Sequence, residues 1–355
     1  MSEAQADGSE EFPERMLRTM NEAALALMVS VGHRTGLFDV MAAMPAATSP
    51  EIASRASLDE RYVREWLAAM TTGRIVEHDG ATGSYSLPAD HAAWLTRAAG
   101  MQNLAIGMQY IGLMALVEDQ IVDCFRRGGG VPYSAFPRFQ EVMAEDSGAV
   151  HDATLIDVIL PLVPGLIDRL RQGIEVADVG CGSGHALNLM AEAFPRSQFA
   201  GFDFSETGIA AARLETDRKG LSNARFDHRD AAHLGEVGRF DFITTFDAVH
   251  DQARPDLVLE GIATALRPGG VYLCVETSAS SKLTENLDHP LGPFLYAVSC
   301  MHCMTVSLAD GGMGLGTMWG EQLARKMLGE AGFTAIETAR LDGDIVNNYL
   351  IASKS

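Results

Sequence analysis

The chain has 355 residues, of which 47% are hydrophobic, and this length predicts two globular domains. Its formal net charge of −20 at pH 7 argues against binding to nucleic acids or anionic membranes, both of which attract clustered Lys and Arg. The five cysteines are an odd number scattered along the chain, which argues against a disulfide framework and favours a reducing cytoplasm.

The first part of the chain is predicted to be an acidic tail followed by a helical domain. Residues 1–14 carry no Lys or Arg, and we expect a disordered tail rather than a targeting signal. Residues 15–130 are predicted to be mostly helical, because apolar residues recur every three to four positions. The run GGGVP, residues 128–132, predicts a linker, and the second domain is assigned to residues 131–355.

Residues 49–87 predict a winged helix inside the first domain. A Ser-Pro start indicates a short helix, Asp59 is placed to cap a second helix, and two short strands flank Gly80–Gly83. DNA recognition is one role of such a domain, but Arg61 and Arg64 of the second helix each stand near a Glu and expose little net charge. We therefore expect a packing or dimerisation module, with DNA binding as the alternative.

Short β-rich runs alternate with helical patterns from Ile174 onward. The predicted strands include Val176–Val179, Phe199–Phe202, Phe240–Phe246, Gly270–Val275 and Tyr349–Ala352. This alternation is typical of the α/β class with a parallel, doubly wound sheet, in which ligands bind at the carboxyl ends of the strands.

The first of these strands leads into a turn that is rich in glycine. Asp178 stands just before Gly180, Gly182 and Gly184 in the run VADVGCGSGHALNLM. Such a turn lets a ligand approach main-chain N–H groups at the start of a helix, and the acid can accept hydroxyl or ammonium donors.

Two further acids follow at later strand ends. Asp203 ends the next strand, where a carboxylate can accept both ribose hydroxyls of an adenosine ligand. Asp230, with the backbone beside Ala231, is placed to read an adenine edge. Each residue alone has a plainer interpretation as a turn or a helix cap, but together along one sheet edge they indicate a nucleoside site.

The run from Ile174 to Asp230 resembles motifs I to III of class I S-adenosylmethionine-dependent methyltransferases. The resemblance continues through RFDFITTFDAVHD, LRPGGVYLCVE and NNYLIASK, and it implies a Rossmann-like seven-stranded sheet. The front half is similar to the winged-helix dimerisation domain of small-molecule O-methyltransferases, which implies a homodimer through that domain.

The resemblance also assigns cofactor-binding residues. Asp178 and the three alternate glycines would hold the methionine part of S-adenosylmethionine, Asp203 the ribose, and Asp230 with Ala231 the adenine. Phe204 and Phe246 complete the predicted cofactor-binding set.

The predicted catalytic pair is His250 and Glu276. His250 with Asp251 matches a His-Asp-Trp signature of the O-methyltransferases, and Glu276 matches the acid that orients the His. On physical grounds, an imidazole that titrates near neutrality and is steered by a carboxylate is a suitable general base for a phenol. Asp251 is predicted to cap a helix. The chain departs from the signature at Gln252, where the family has Trp.

This departure keeps other activities open. One alternative is an N- or S-methyltransferase that works by alignment alone, and another is an enzyme that keeps the cofactor for different chemistry. A third is a cofactor-sensing regulator that uses its winged helix on DNA.

Residues 277–319 form a segment longer than a strand-to-helix connection needs, and we expect it to cover the active site. Met301, His302 and Trp319 would line a soft apolar substrate pocket, with ordinary core packing as the alternative. Cys300, His302 and Cys303 are soft donors, but a zinc site needs a fourth ligand, and no metal is predicted.

Taken together, the sequence predicts a cytoplasmic, dimeric methyltransferase. It would transfer a methyl group from S-adenosylmethionine to a small aromatic hydroxyl, with S-adenosylhomocysteine as the second product.

Overall fold

The computed structural model describes residues 11–342 and 344–354. The chain divides into two compact units between Leu113 and Met114. Residues 1–10 of the predicted acidic tail lie outside the described residues. The first helix begins at Phe12, so residues 12–14, which were predicted to be disordered, are helical.

The first unit is mainly helical and contains one two-stranded antiparallel sheet. Its elements are α1 (Phe12–Thr35), α2 (Leu37–Ala42), α3 (Ser49–Ala56), α4 (Glu60–Thr72), β1 (Glu77–Asp79), β2 (Ser84–Ser86), α5 (Ala89–Leu95), α6 (Leu104–Gly107) and α7 (Gln109–Ala115), in which the division falls. The order α3, α4, β1, β2 is that of the predicted winged helix.

Local capping and ion pairs explain how this winged helix forms. The Asp59 side chain accepts hydrogen bonds from the backbone N–H groups of Arg61 and Tyr62 and so begins α4, as predicted. Along α4, Arg61 pairs with Glu65 at 2.5 Å, and Arg64 pairs with the Glu four residues before it at 3.3 Å. The second helix therefore presents arginines whose charges are matched by acids.

The second unit contains a seven-stranded sheet with helices on both faces. Its elements are α8 (Glu118–Arg127), α9 (Phe139–Thr154), α10 (Leu166–Gln172), β3 (Glu175–Val179), α11 (His185–Ala193), β4 (Gln198–Asp203), α12 (Glu206–Lys219), β5 (Ala224–His228), β6 (Phe240–Phe246), α13 (Pro255–Ala265), β7 (Leu266–Thr277), α14 (Gly292–Val298), α15 (Met304–Ala309), α16 (Gly320–Glu330), β8 (Ala335–Ala339) and β9 (Asn347–Ser353). Turns of π-helix extend α9 over Leu155–Ile159 and join α14 to α15 over Ser299–Cys303.

The strand order is β5-β4-β3-β6-β7-β9-β8. Neighbouring strands from β5 to β7 pair in parallel, whereas β9 runs antiparallel to both β7 and β8. The predicted Rossmann-like, seven-stranded α/β sheet is confirmed, with β9 as the one reversal among the described strands.

Both faces of the sheet are buried, which explains why its strands read as continuous apolar runs. Alternate side chains of one strand enter different cores, since Val176 packs with α10 and α11 while Ala177 packs on the opposite face with α13 and α16. The carboxyl ends of β3, β4, β6 and β7 therefore lie along one edge of a rigid platform.

The glycine run at residues 128–132, which the sequence predicts to be the linker, lies inside the second unit. The backbone N–H of Val131 donates to Oγ1 of Thr305 at 2.8 Å, and a Cβ on Gly130 would overlap the backbone of Thr305. Glycine is needed here because two backbones approach each other closely. The domain boundary predicted at residue 130 thus falls within this unit.

Among residues 11–342 and 344–354, the helical run Gly292–Ala309 is long and apolar enough to cross a membrane, and 44% of it is buried. A second candidate, Phe139–Leu162 with Leu166–Gln172, is bent by 105°. Buried core helices pass the same test, so the expected absence of a membrane partner stays a prediction.

Candidate functional site

The turn between β3 and α11 is built from glycines in the left-handed region. Gly180, Gly182 and Gly184 have φ values of 74°, 53° and 72°. A Cβ on Gly180 would lie 2.5 Å from Cβ of Ala248, and one on Gly184 would lie 2.5 Å from Phe226. At Gly182 a Cβ would meet no atom of the chain within 4 Å. The outer glycines thus serve packing, whereas the middle one borders open space that a ligand can enter.

Two buried carboxylates flank this turn. Asp178 is 2% exposed and Asp203 is 6% exposed, and no Lys or Arg of the described chain forms an ion pair with either. Burial raises the pKa of Asp178 to about 7, although a 2.7 Å hydrogen bond from Thr244 lowers it. Burial also raises the pKa of Asp203, which accepts the N–H of Gly182 at 2.8 Å. A positively charged ligand would stabilise both carboxylates.

The remaining predicted cofactor residues occupy the same strand ends with different exposure. Asp230 follows β5, its side chain is 59% exposed, and it caps the turn that begins at the buried Ala231 by accepting the N–H of Ala232. Phe204 is 49% exposed directly after Asp203, and Phe246 ends β6 with its ring 4.6 Å from that of His151. The Asp230 side chain therefore acts as a helix cap, which is the plainer interpretation that the sequence left open.

The predicted catalytic pair forms one buried hydrogen-bonded unit. Nδ1 of His250 lies 2.5 Å from Oε2 of Glu276, and the two side chains are only 5% and 2% exposed. Glu276 in turn accepts the backbone N–H of Val249 at 3.1 Å and the indole N–H of Trp319 at 3.2 Å. The carboxylate is held on three sides, so it fixes both the position and the tautomer of the imidazole.

Burial and two neighbouring groups act on the imidazole of His250 in opposite directions. Burial alone disfavours the charged imidazolium, but Glu276 and Cys303 outweigh it, and the pKa of His250 is raised above its ordinary value. The general-base role of His250 stays a prediction.

Two further acids surround this pair. Asp247 has a φ of 50°, and burial together with Glu276 raises its pKa to about 7. Burial raises the pKa of Asp251 to about 6. The prediction that Asp251 caps a helix is wrong, because α13 begins only at Pro255. Within the described ranges, Asp247, His250 and Glu276 have ligand atoms within 4.8 Å of one another and are the one group spaced for a metal ion.

The predicted substrate residues separate into two places. His302 is 1% exposed, its ring is stacked on Phe139 with centroids 3.4 Å apart, and its Nδ1 lies 3.6 Å from Sγ of Cys303. Met301 is half-buried on the same π-helical turn. Trp319 instead belongs to the hydrophobic core on one face of the sheet, and its indole N–H donates a hydrogen bond to Glu276.

Sequence reasoning missed several side chains that complete this arrangement. Tyr133 has its ring 5.4 Å from His302 and 5.7 Å from Phe204, and Phe139 stacks on His302. The contact of 3.6 Å between Sγ of Cys303 and Nδ1 of His302 was also missed. Only Asp247 carried a local signal, as an acid at the end of a predicted strand three residues before His250.

Two family models match separate parts of the chain. Residues 23–97 match a model described as an Rv2258c-like winged HTH domain, and residues 170–332 match one described as a methyltransferase domain. The chain thus carries both domains that the sequence predicts.

Curated relatives match a shorter stretch. A ubiquinone biosynthesis O-methyltransferase of Ruegeria pomeroyi is 29% identical over 118 residues, which cover 32% of this chain and 46% of that protein. A fatty-acid O-methyltransferase of Mycolicibacterium smegmatis is 30% identical over 114 residues, covering 32% of this chain and 41% of that protein. The chain matches less than half the length of either relative.

Solved structures are similar over the whole chain. The structure of human N-acetylserotonin methyltransferase in complex with SAM has a TM-score of 0.73 at 17% identity, and the match covers 98% of this chain and 99% of that one. At 17% sequence identity this similarity establishes the fold.

Proposed function

We propose that this chain, which joins a winged helix–turn–helix domain to a methyltransferase domain, transfers the methyl group of S-adenosylmethionine to a hydroxyl of a small aromatic molecule. The observation that carries this proposal is the buried pair of His250 and Glu276 at the same sheet edge as the glycine turn. The names of the relatives, among them two O-methyltransferases, favour oxygen as the acceptor atom.

The residues present fit this cofactor. Two buried carboxylates that form no ion pair with a Lys or Arg of the described residues, Asp178 and Asp203, suit a ligand with an ammonium group, a positive sulfur and ribose hydroxyls. The open space at Gly182 suits close approach to the main chain. When bound, S-adenosylmethionine supplies a methyl group already activated on a positively charged sulfur.

The protein's own contribution is alignment and proton removal. Glu276 accepts from Nδ1 of His250, so Nε2 is the nitrogen left to take the acceptor proton. Because the pKa of His250 is raised, this step needs a pH at which the imidazole is neutral. The stacked rings of Phe139 and His302 offer a flat apolar wall for an aromatic acceptor.

The test is transfer of labelled methyl from S-adenosylmethionine to pooled phenols, amines and thiols by the purified chain, beside binding of S-adenosylhomocysteine measured by calorimetry. Label recovered in phenyl methyl ethers is the expected result. Label recovered only in amines or thiols would favour the N- or S-methyl alternative. Binding of neither cofactor form would contradict the proposal as a whole.

We also infer that two copies associate through α1, in the cytoplasm as the cysteine content suggests. This helix exposes large apolar side chains at helical spacing: Phe12, Met16, Leu17, Met20, Leu27 and Val31. Phe12 and Met20 are 67% and 62% exposed, and an apolar stripe of this length is costly to leave in water. Light scattering should give a dimer that Leu17→Glu with Met20→Glu converts to a monomer, whereas a monomeric parent chain would exclude the assembly.

The regulator alternative is tested by binding to duplex DNA. We expect no salt-dependent binding, because both arginines of α4 are paired with acids of the same helix and the chain has a net charge of −20. Binding that weakens steeply with salt would favour the regulator.

A further inference from the structure

Helix α9 runs along the edge of the sheet at which the cofactor is proposed to bind. Near its start, Oε1 of Gln140 accepts a hydrogen bond of 2.9 Å from Oγ of Ser205, whose backbone N–H donates to Asp203. Near its end, the ring of His151 lies 4.6 Å from that of Phe246, the last residue of β6. The helix therefore reaches from the end of β4 to the end of β6, and a ligand at this edge lies beside it.

The same helix contacts the helix that follows the glycine turn. His185 is the first residue of α11 and comes directly after Gly184. A Cβ on Gly148 of α9 would lie 3.7 Å from Cδ2 of His185, which is ordinary van der Waals contact. The middle of α9 therefore packs beside the turn that is proposed to hold the methionine part of the cofactor.

The imidazole of His185 connects three helices through two carboxylates. Its Nδ1 lies 2.8 Å from Oε1 of Glu215 on α12, and its Nε2 lies 2.9 Å from Oδ1 of Asp152 on α9. An ionised carboxylate only accepts hydrogen bonds, so the imidazole can donate to both acids only when both of its nitrogens carry protons. The positively charged ring then forms an ionic bridge between α9 and the α11–α12 pair.

The two contacts of this bridge differ in their exposure to water. The side chain of Glu215 is 14% exposed, and Glu215 also accepts a hydrogen bond of 3.3 Å from Asn188 of α11. The side chain of Asp152 is 62% exposed. Because water and salt weaken exposed ion pairs most, the contact with Asp152 is the one that can open while the contact with Glu215 persists.

We propose that His185 is a positioning residue that holds α9 against the bound cofactor through Asp152 and so sets how fast the cofactor leaves. This inference rests on the proposed function, because it requires the cofactor to occupy this edge of the sheet. When the contact between His185 and Asp152 opens, α9 loses its ionic link to α11 and the ligand beside it is released sooner. The bridge therefore controls the lifetime of the complex.

The first experiment measures the dissociation of labelled S-adenosylhomocysteine after an excess of the unlabelled compound is added. Asp152→Asn keeps an acceptor oxygen and removes the negative charge. We expect dissociation to become about two- to fivefold faster, which is the effect of losing a partly exposed ion pair.

Glu141→Gln is the matched control for this variant. Glu141 is also an exposed acid of α9, with its side chain 74% exposed, but it pairs with Arg138 at 3.5 Å instead of with α11. It should release S-adenosylhomocysteine at the parental rate. Equal acceleration in both variants would assign the effect to the overall charge of α9 and would overturn the bridge.

Salt concentration distinguishes an ionic bridge from a packing role. In the parent chain, dissociation should become faster as the salt concentration is raised to about 1 M, where charges are screened beyond about 3 Å. In Asp152→Asn the rate should depend less on salt, so the two rates should converge. A ratio of the two rates that stays constant at all salt concentrations would exclude an ionic contact.

The role of His185 itself is tested by combining two substitutions. Asp152→Asn should accelerate dissociation in the parent chain and should cause no further acceleration in His185→Gln, because the contact that it weakens is already lost. Acceleration of the same size in both backgrounds would show that Asp152 acts without His185.

Failure of this inference is distinguishable from failure of the proposed function. If S-adenosylhomocysteine binds and leaves the parent chain and Asp152→Asn at the same rate, the bridge is wrong and the proposed function stands. If S-adenosylhomocysteine does not bind to the parent chain, both proposals fail.

Discussion

The two halves of the candidate site consist of different chemical groups. The half around the glycine turn consists of main-chain groups and two buried carboxylates, Asp178 and Asp203, within a short stretch of chain and the next strand end. The half around His250 consists of side chains: an imidazole, a thiol and stacked rings, with a carboxylate behind them. The first half has the charge to hold a cation, and the second has the groups to remove a proton.

This difference predicts that the two halves affect different quantities: the first half the affinity for the cofactor, and the second half the rate of the chemical step. A cation stabilises buried carboxylates, so loss of Asp178 or Asp203 should appear as weaker cofactor binding. The imidazole acts on a proton that moves only during reaction, so its loss should appear in the chemical step. Each variant below tests whether the two halves are independent in this way.

The largest effect is expected for His250→Gln. Since a positioned general base contributes about 10²- to 10⁴-fold, we expect the kcat for phenol methylation to fall by that factor. The affinity for S-adenosylhomocysteine should stay within about twofold, because Asp178 and Asp203 are unchanged. The measurements are steady-state kinetics and calorimetry on the same protein.

The control for this variant is His91→Gln in the first unit, whose imidazole contacts the carbonyl of Ile75. It should leave kcat unchanged. Transfer that survives His250→Gln would indicate alignment alone and would favour a nitrogen or sulfur acceptor.

Asp203→Ala should give the converse result. The carboxylate accepts from Gly182 and Ser205 and is proposed to accept the ribose hydroxyls. Hydrogen bonds to a charged group are worth about 1.5–3 kcal/mol, so S-adenosylhomocysteine should bind roughly 10- to 100-fold more weakly. Asp203→Asn, which keeps one acceptor oxygen, should lose less. Unchanged affinity in Asp203→Ala would remove this residue from the cofactor site.

The two halves also differ in how much the sequence reveals. Gly180, Gly182 and Gly184 could be found because they lie in one continuous stretch of chain with regular spacing. The strand ends could be found because short apolar, β-rich runs alternate with helical patterns. The pairing of His250 with Glu276 was implied by the resemblance to the O-methyltransferases, and the structure places His250 shortly after β6 and Glu276 near the end of the neighbouring β7.

The contacts of His302 could not be predicted in the same way. They depend on a π-helical turn within an apolar segment and on Tyr133 and Phe139, which are distant in sequence. Trp319 was predicted to line the substrate pocket, but in the structure its indole N–H donates a hydrogen bond to Glu276. Side-chain contacts between distant segments leave no periodic signal in the sequence.

A smaller effect, on pH dependence, is expected for Glu276→Gln. The carboxylate raises the pKa of His250, so the parent enzyme should gain activity as the pH rises and the imidazole loses its proton. Removing the negative charge lowers that pKa, and the rise in kcat/KM should move to lower pH. The amide can still accept from Trp319, so the maximal rate should fall less than in His250→Gln. A rise that stays at the parental pH would show that Glu276 does not set the protonation of His250.

The smallest effect is expected from metal removal, although Asp247, His250 and Glu276 have metal-like spacing. Nδ1 of His250 is engaged by Glu276 at 2.5 Å, so the lone pairs that would bind an ion already share a proton. Prolonged treatment with a chelator should therefore leave methyl transfer unchanged, and added Mg²⁺ or Zn²⁺ should not stimulate it. Loss of activity that a divalent ion restores would make these three residues ligands, and the acceptor half would then bind a cation as the cofactor half is proposed to do.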